Sequence, residues 1–474
     1  MKPHTIALIM VLCVVGTCLS TAAADWPTYR ADAARSGYTA EPLAKQLNLK
    51  WVYRSPHGPR PAWPSSKRMH FDSAFQPIVI GSTVVFASSA DDKVIALDAE
   101  TGVKRWEFFT EGPIRFAPAA WRDRLFVASD DGWLYALAVS DGRLLWKHRG
   151  GPDDRKLLGN RRMISRWPAR GGPVVTDDTV YFAAGIWPSD GIYLHALDAQ
   201  TGGSVWMNDR TGSLFMPQPH GTAEAKSGLA PQGYLLATDE RLFVPTGRAV
   251  PAALCRADGS LEYYRLQQNG AMGGARAIVT DRFLANGGCL IDRASGELAA
   301  RYGRGLLTAT PDGVLQYAGK TLLSYRWKDS ERRDRKGKPV SGRAWDKVCQ
   351  IELDDESPER QQLAEVFKEY PAFKNLYQMQ TPFYDPGKGP TGLERSLAQL
   401  RPEVQSLGGQ IDPFLASTYE KTQEVIAAAN EAVCGEPGQV RVIDLAGQKV
   451  RWSHAVDGAA TALAVSDGRL FVGT

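Results

Sequence analysis

The chain has 474 residues, 43% of them hydrophobic and 23% charged, and its 56 basic and 52 acidic residues leave a formal net charge of +4. That balance is ordinary for a globular protein and excludes both a disordered chain and one embedded throughout in a bilayer. So small an excess of basic charge gives no reason to expect nucleic acid as a partner.

The first element in chain order is an export signal. Lys2 and His4 form a short basic region, Ile6 to Leu19 is apolar, and Ala22, Ala23 and Ala24 offer small residues to a signal peptidase. We place the signal at 1–24 and the mature start at Asp25. The apolar run is short for a hydrocarbon core about 30 Å thick and is interrupted by Gly16 and Thr17, so no transmembrane span is expected after signal removal. Thr17 is a poor neighbour for lipidation of Cys18. The expected location is periplasmic or otherwise extracytoplasmic.

Leu49-Lys50-Trp51-Val52 has the pattern of an outer strand. A repeat then begins. Ile78-Val79-Ile80 and Thr83 to Phe86 are two β-type runs, and Ala96-Leu97-Asp98-Ala99-Glu100-Thr101-Gly102 leads to Trp106. The unit recurs with Leu125 to Ala128, Trp133 to Ala136, Gly142 and Trp146, and again with Ala196-Leu197-Asp198, Gly202 and Trp206. In each copy Gly permits positive φ in a hairpin turn, and Asp, Ser or Thr before it can bond the turn backbone. Trp follows four residues later as the anchor of the outer strand. Gly102 and Gly142 are 40 residues apart, the length of one four-stranded propeller blade.

Three long connections interrupt the consecutive units. Gly150 to Gly172 holds Arg155, Asn160, Arg161, Arg162, Arg166 and Trp167, beside Asp153 and Asp154. Gly185 to Gly191 contains Trp187, and Ser213 to Gly221 contains His220. Guanidinium groups beside an indole suit an anionic or sugar-like ligand by forked hydrogen bonds and stacking; the alternative is that these arginines pair with Asp153 and Asp154 and staple adjacent blades. His220 is the nearby group that titrates near neutral pH.

Weaker units follow at Gly259, Gly296 and from Leu306 to Trp327, and Gly447 with Trp452 restores the pattern. Between about 328 and 434 the composition turns charged, and helices are expected after Ser357-Pro358-Glu359, over Leu393 to Leu400 and over Thr418 to Ala432. The basic run Lys328 to Lys338 reads as a solvated loop. Cys255, Cys289, Cys349 and Cys434 remain in the mature chain, as a disulfide set closing the insertion through Cys349 and Cys434 or as buried thiols. No Cys-x-x-Cys pair or His cluster suggests a metal site. Leu463 to Val472 gives two strands that complement the lone strand at Trp51, a shared blade that brings the count to about eight. Gly473-Thr474 stops where a third strand should follow, so the natural chain is expected to continue.

The motif Ala-Leu-Asp-Ala-x-Thr-Gly-x-x-x-Trp at 96–106 and 196–206 resembles the repeat of PQQ-like β-propellers, as found in the outer-membrane assembly factor BamB and in quinoprotein alcohol dehydrogenases. The resemblance implies an all-β propeller over 25–474 of about eight four-stranded blades, the last incomplete, with a helical insertion. A BamB-like member would bind a protein or cell-envelope component through blade-connecting loops, with no catalytic residue and no cofactor. A quinoprotein would hold PQQ and calcium with a tryptophan floor and an adjacent-cysteine disulfide. Adjacent cysteines are absent from the mature chain, and Trp51, Trp106, Trp146, Trp206 and Trp452 are taken up as blade anchors with Gly102, Gly142 and Gly202. The binding reading therefore leads; the alternatives are a PQQ-dependent oxidoreductase and a non-catalytic module of an enzyme continuing past Thr474.

Overall fold

The structure is a computed structural model. It describes residues 25–63, 69–159, 161–218, 223–247, 249–266, 273–303, 305–318, 321–333, 339–353 and 424–474. The expected signal at 1–24, Asn160, His220 and the expected helices at 357–367 and 393–400 lie outside the described residues.

Seven sheets of antiparallel meanders follow one another along the chain. The first is Ile78–Ile80, Thr83–Ser88, Lys93–Asp98 and Lys104–Phe109, and the second runs from Ala119–Trp121 to Leu144–Arg149. The third spans Gly171–Thr176 to Ser204–Asn208, with Gly233–Tyr234 added parallel to its first strand. The fourth spans Leu236–Ala237 to Leu261–Tyr263, the fifth Ala277–Val279 to Leu298–Arg301, and the sixth Leu306–Thr310 to Pro339–Glu352. The seventh contains Glu424–Ala428, Glu431–Asp444 and Lys449–Ala459, with Tyr38–Thr39 parallel to its first strand.

The turn before each outer strand explains why the repeat is so visible. Asp98 Oδ1 accepts from Thr101 N at 2.8 Å and Thr101 Oγ1 at 2.9 Å, and Gly102 then adopts φ +70°. A Cβ on Gly102 would lie 2.5 Å from the Trp51 ring. The same contact couples Trp106 to Gly142, Trp146 to Gly202, Trp206 to Gly259 and Tyr263 to Gly296. From Trp106 to Tyr263, each ring of one sheet thus seats on the glycine of the next. The indole nitrogens of Trp51, Trp106, Trp206 and Trp452 donate to Ala99 O, Val139 O, Arg256 O and Leu47 O at 2.8–3.1 Å.

The apolar core lies between sheets. One cluster joins the first sheet to the second through Val85, Ala96, Trp106, Leu125 and Leu137. Further clusters join the second to the third, the third to the fourth and onward around the ring. The last joins the seventh sheet to the first through Leu463, Val465 and Phe471.

Three expectations are corrected. There are seven blades, because the segment expected to complete an eighth supplies only the hairpin Ala462–Ser466 and Arg469–Gly473, and residues 49–52 form no strand. The insertion is not helical where it is described: Thr321–Arg333 pairs with Pro339–Glu352 across the basic run, and Glu424–Ala428 is a buried strand where a helix over 418–432 was expected. The one helical element among the described residues is the 3-10 turn Pro188–Asp190. Cys349 and Cys434 are free thiols packed in one apolar cluster rather than a disulfide.

The segment Trp26–Thr39 threads the ring like a strap. Trp26 exchanges backbone bonds with Val79, and Ala120, Ala237, Val279, Ala309 and Ala427 donate at 2.7–3.0 Å to the carbonyls of Pro27, Ala33, Ala34, Ser36 and Gly37. Arg35 Nη2 reaches Pro173 O at 2.9 Å, so every sheet touches the strap.

Candidate functional site

In a ring of meanders, the connections between sheets and the turns between second and third strands emerge on one face. The long connections 110–118, 150–170 and 209–235 all belong to this loop face, as does the incoming segment 54–76. Its floor is a buried ion network. Asp130 accepts from Arg115 Nε at 2.6 Å, Arg170 Nε at 2.6 Å and Arg170 Nη2 at 2.9 Å. Arg115 also reaches Asp72 Oδ2 at 2.6 Å, and Ala62 N donates to the same oxygen. All four side chains are buried.

The two carboxylates feel this burial differently. Burial alone would raise Asp130, but the guanidinium groups of Arg115 and Arg170 hold its carboxyl below the ordinary value. Burial pushes Asp72 up, and Arg115 offsets this only in part. Asp72 Oδ1 and Arg170 Nη1 make no hydrogen bond among the described residues. Nearby, Glu424 pairs with Arg30 and with Arg276 at 3.3 Å, and Glu436 accepts from Arg441 at 2.6 Å and Gln439 at 2.9 Å. Sequence reasoning missed these groups. The signal was present as isolated Arg and Asp residues in connecting loops, where charge reads as solvated.

The described residues among those singled out from the sequence are mostly engaged within their own loops or with neighbouring ones. Arg162 bonds Ala90 O at 2.9 Å and pairs with Asp92, stapling the hairpin Lys156–Gly159/Arg162–Ser165 to the first sheet. Arg166 pairs with Asp190 at 2.7 Å, and Arg155 pairs with Asp153 at 2.8 Å. Trp167 is buried and donates to Asp190 O at 2.6 Å, with Arg155 and Arg166 near its ring at 5.0 and 5.6 Å. The described arginines are thus mostly ion-paired between or within loops. Arg161 is the exposed turn residue of the hairpin, at φ +64°. Trp187 is exposed and meets Trp63 edge-on at 6.3 Å, while Trp63 donates to Gln232 at 3.0 Å.

What these loops do present is apolar surface. Leu158 is 73% exposed and sits across the hairpin from Met163, itself 56% exposed. The next hairpin, Leu214–Pro217/Glu224–Ser227, carries Phe215 at 67%, and Trp187 stands at 55%. These residues come from consecutive connections on the same face.

Residues 54–166 match the family described as outer membrane protein assembly factor BamB. Among solved structures, a europium-containing methanol dehydrogenase aligns with a TM-score of 0.53 at 12% identity, over 93% of this chain and 86% of that one. The fold is a β-propeller like that of this dehydrogenase, and its stretch 54–166 resembles the BamB family. A quinohemoprotein alcohol dehydrogenase from Comamonas testosteroni aligns to this propeller with a TM-score of 0.55 at 13% identity, over 95% of this chain and 76% of that one. BamB from Moraxella catarrhalis aligns with a TM-score of 0.37 at 18% identity, over 66% of this chain and 88% of that one. Comparison with curated proteins gives no match. At such identities the likeness establishes the propeller fold and not an activity.

Among the described residues, the aromatic rings packed beside the strap offer no slot for a quinone. Tyr29 and Tyr234 stack on each other with centroids 3.8 Å apart, leaving no slot between them, and Phe71 stacks on Phe116 at 4.8 Å. Phe116 closes edge-on against Tyr234 at 5.1 Å. No group of three or more His, Cys, Asp or Glu is placed to hold a metal ion among the described residues.

Proposed function

We propose that this chain is an exported binding propeller that engages a protein or cell-envelope ligand through its loop face and has no chemistry of its own. The observation that carries this reading is the exposed apolar set Leu158, Met163, Trp187 and Phe215 on neighbouring loops. Isolated exposed apolar residues are ordinary, but large ones gathered on protruding hairpins are the composition of a docking surface, where aromatic and methionine side chains dominate contact energy. The charged side chains around them are mostly ion-paired to one another, which holds the hairpins in place.

Capture from envelope extract by the immobilised protein tests this. The expected result is a retained partner that is lost with Leu158→Asp or Phe215→Asp and weakened by Arg161→Glu. Arg162 is unsuitable for that test because it holds the hairpin to Asp92. Capture that is equal in all three variants removes the loop face from the reading.

A PQQ-dependent oxidoreductase is the second reading, favoured by dehydrogenases among the structural neighbours. Calorimetric titration with pyrroloquinoline quinone and calcium, followed by dye-coupled oxidation of alcohols and sugars, separates the two. Saturable binding with turnover establishes the enzyme; no heat from a folded protein leaves the binding propeller.

A further inference from the structure

The seam between the seventh and first sheets reproduces a contact found inside the blades. In the second sheet Phe126, Ala136 and Trp146 lie opposite one another on the second, third and fourth strands, and the two rings meet beside the alanine with centroids 5.7 Å apart, tilted by 38°. The third sheet does the same with Tyr181, Ala196 and Trp206, at 5.9 Å and 45°. At the seam Phe471, on the second strand of the hairpin, meets Trp51 at 6.2 Å and 48°. Trp51 is seated like a fourth-strand ring, on Gly102. The Leu47 carbonyl accepts from the Trp452 indole as Ala99, Val139 and Arg256, each just past a third strand, accept from Trp51, Trp106 and Trp206. Among the described residues, no strand stands between Phe471 and Trp51.

The hairpin presents a pairing edge at this place. Ser466 and Arg469 pair across the two-residue turn Asp467-Gly468, so the backbone groups of Leu470 and Val472 point away from the partner strand. No described strand pairs with them. Along Arg469–Gly473 only Phe471 is buried, whereas the second strands of the first six sheets are buried over almost their whole length. An unpaired edge of this kind is a template for another strand.

The third strands that fill the same place elsewhere define what fits. Lys93–Asp98, Trp133–Ala138 and Tyr193–Asp198 each bury at least four consecutive residues, and their Ala96, Ala136 and Ala196 lie opposite the tryptophan. These strands are already paired on both edges within their own sheets, so a second copy of the chain has none of them to lend. We propose that the seam binds an extended apolar segment of a partner protein, which adds as a strand to Leu470 and Val472 and places a small residue between Phe471 and Trp51. None of the loop-face residues takes part.

A fluorescent peptide of residues 91–100, which carries one such third strand, tests this by anisotropy with the full chain. The expected result is saturable binding with a Kd of roughly micromolar order. N-methylation of the peptide at Ile95 and Leu97, whose N–H groups face the second strand in the first sheet, should weaken binding by about tenfold or more, as should Ala96→Leu in the peptide. Both changes leave the protein itself intact, and Leu158→Asp on the loop face should bind the peptide unchanged. No saturable binding overturns the proposal, as does binding undiminished by N-methylation. A chain that is dimeric in sedimentation and that the peptide dissociates assigns the place to a second copy and overturns the choice of partner.

Discussion

Replacing Asp130 by Asn keeps its shape and removes its charge, leaving Arg115 paired with Asp72 and the buried Arg170 without an ion-pair partner among the described residues. Three charge-assisted contacts of 2.6–2.9 Å are weakened at once. Breaking a buried pair while its cations stay buried costs about 3–5 kcal/mol. With an m-value of about 3 kcal/mol/M, the urea midpoint should fall by roughly 1 M or more. The pH dependence gives an independent readout. The carboxyl of Asp130 is depressed in the folded state, so its stabilisation is present above the unfolded value near 3.9 and is lost as pH falls through the lower folded value. Asp72 is raised, so its contribution has the opposite sign and fades as pH rises through its folded value. Asp130→Asn should therefore lose part of the acid destabilisation seen in the parent below about pH 4. A midpoint shift under about 0.3 M, or an unchanged acid limb, would show that the network does not hold the loop-face floor.

Other outcomes follow from the packing. Trp106→Ala should cost about 3–5 kcal/mol, since the ring fills the interface over Gly142, whereas the exposed Trp187→Ala should change the denaturation midpoint little. Gly142→Ala should also destabilise, because φ is +71° and a Cβ would lie 2.5 Å from the Trp106 ring; a neutral result contradicts the seating described above. His195 is buried, stacked on Phe182 and held down to about 4 by burial, so stability should decline as pH falls from about 6.5 towards 4, and His195→Phe should flatten that decline. Cys349 and Cys434 should resist a thiol reagent until the protein is unfolded, burial having pushed the Cys434 thiol well up; rapid labelling of the native protein would refute their packing.

The repeat was legible because each of its letters has a local physical task. Asp98 closes its own turn, Gly102 takes a conformation other residues resist, and the Trp four residues on seats on its neighbour's glycine. The blade count was less legible, because Trp51 and the hairpin at 462–473 meet across a seam as repeats would, yet strand pairing there is confined to the hairpin among the described residues. The stretch Val425 to Ala428 within 418–432 reads as helix because a continuous apolar run lacks the alternation that marks a half-buried strand, and this one is buried on both sides. The loop-face ion network was invisible because its members, Asp72, Arg115, Asp130 and Arg170, come from four separate segments that only the closed ring brings together.

The strap and the contacts at the seam tie the sheets of the ring to one another. A propeller must suppress the edges of its first and last sheets, and sharing one four-stranded blade between the two ends of the chain does this with backbone pairing. Among the described residues the seam carries a two-stranded hairpin, and other contacts cross it as well. Trp452 donates to Leu47 O, Trp51 donates to Ala99 O and meets Phe471 at 6.2 Å, and Arg469 pairs with Glu100 at 2.6 Å. The strap adds backbone bonds to the inner strands of six sheets, and Arg35, fully buried, reaches Pro173 O, Leu235 O and Tyr29 O at 2.9–3.1 Å. Arg35→Met keeps much of the volume but leaves three buried carbonyls short of a donor, at about 1–3 kcal/mol each. The loss should fall on the whole ring rather than one blade, because the strap couples all of them. Hydrogen exchange distinguishes the cases: faster exchange spread over the inner strands supports closure by the strap, and faster exchange confined to the third and fourth sheets refutes it.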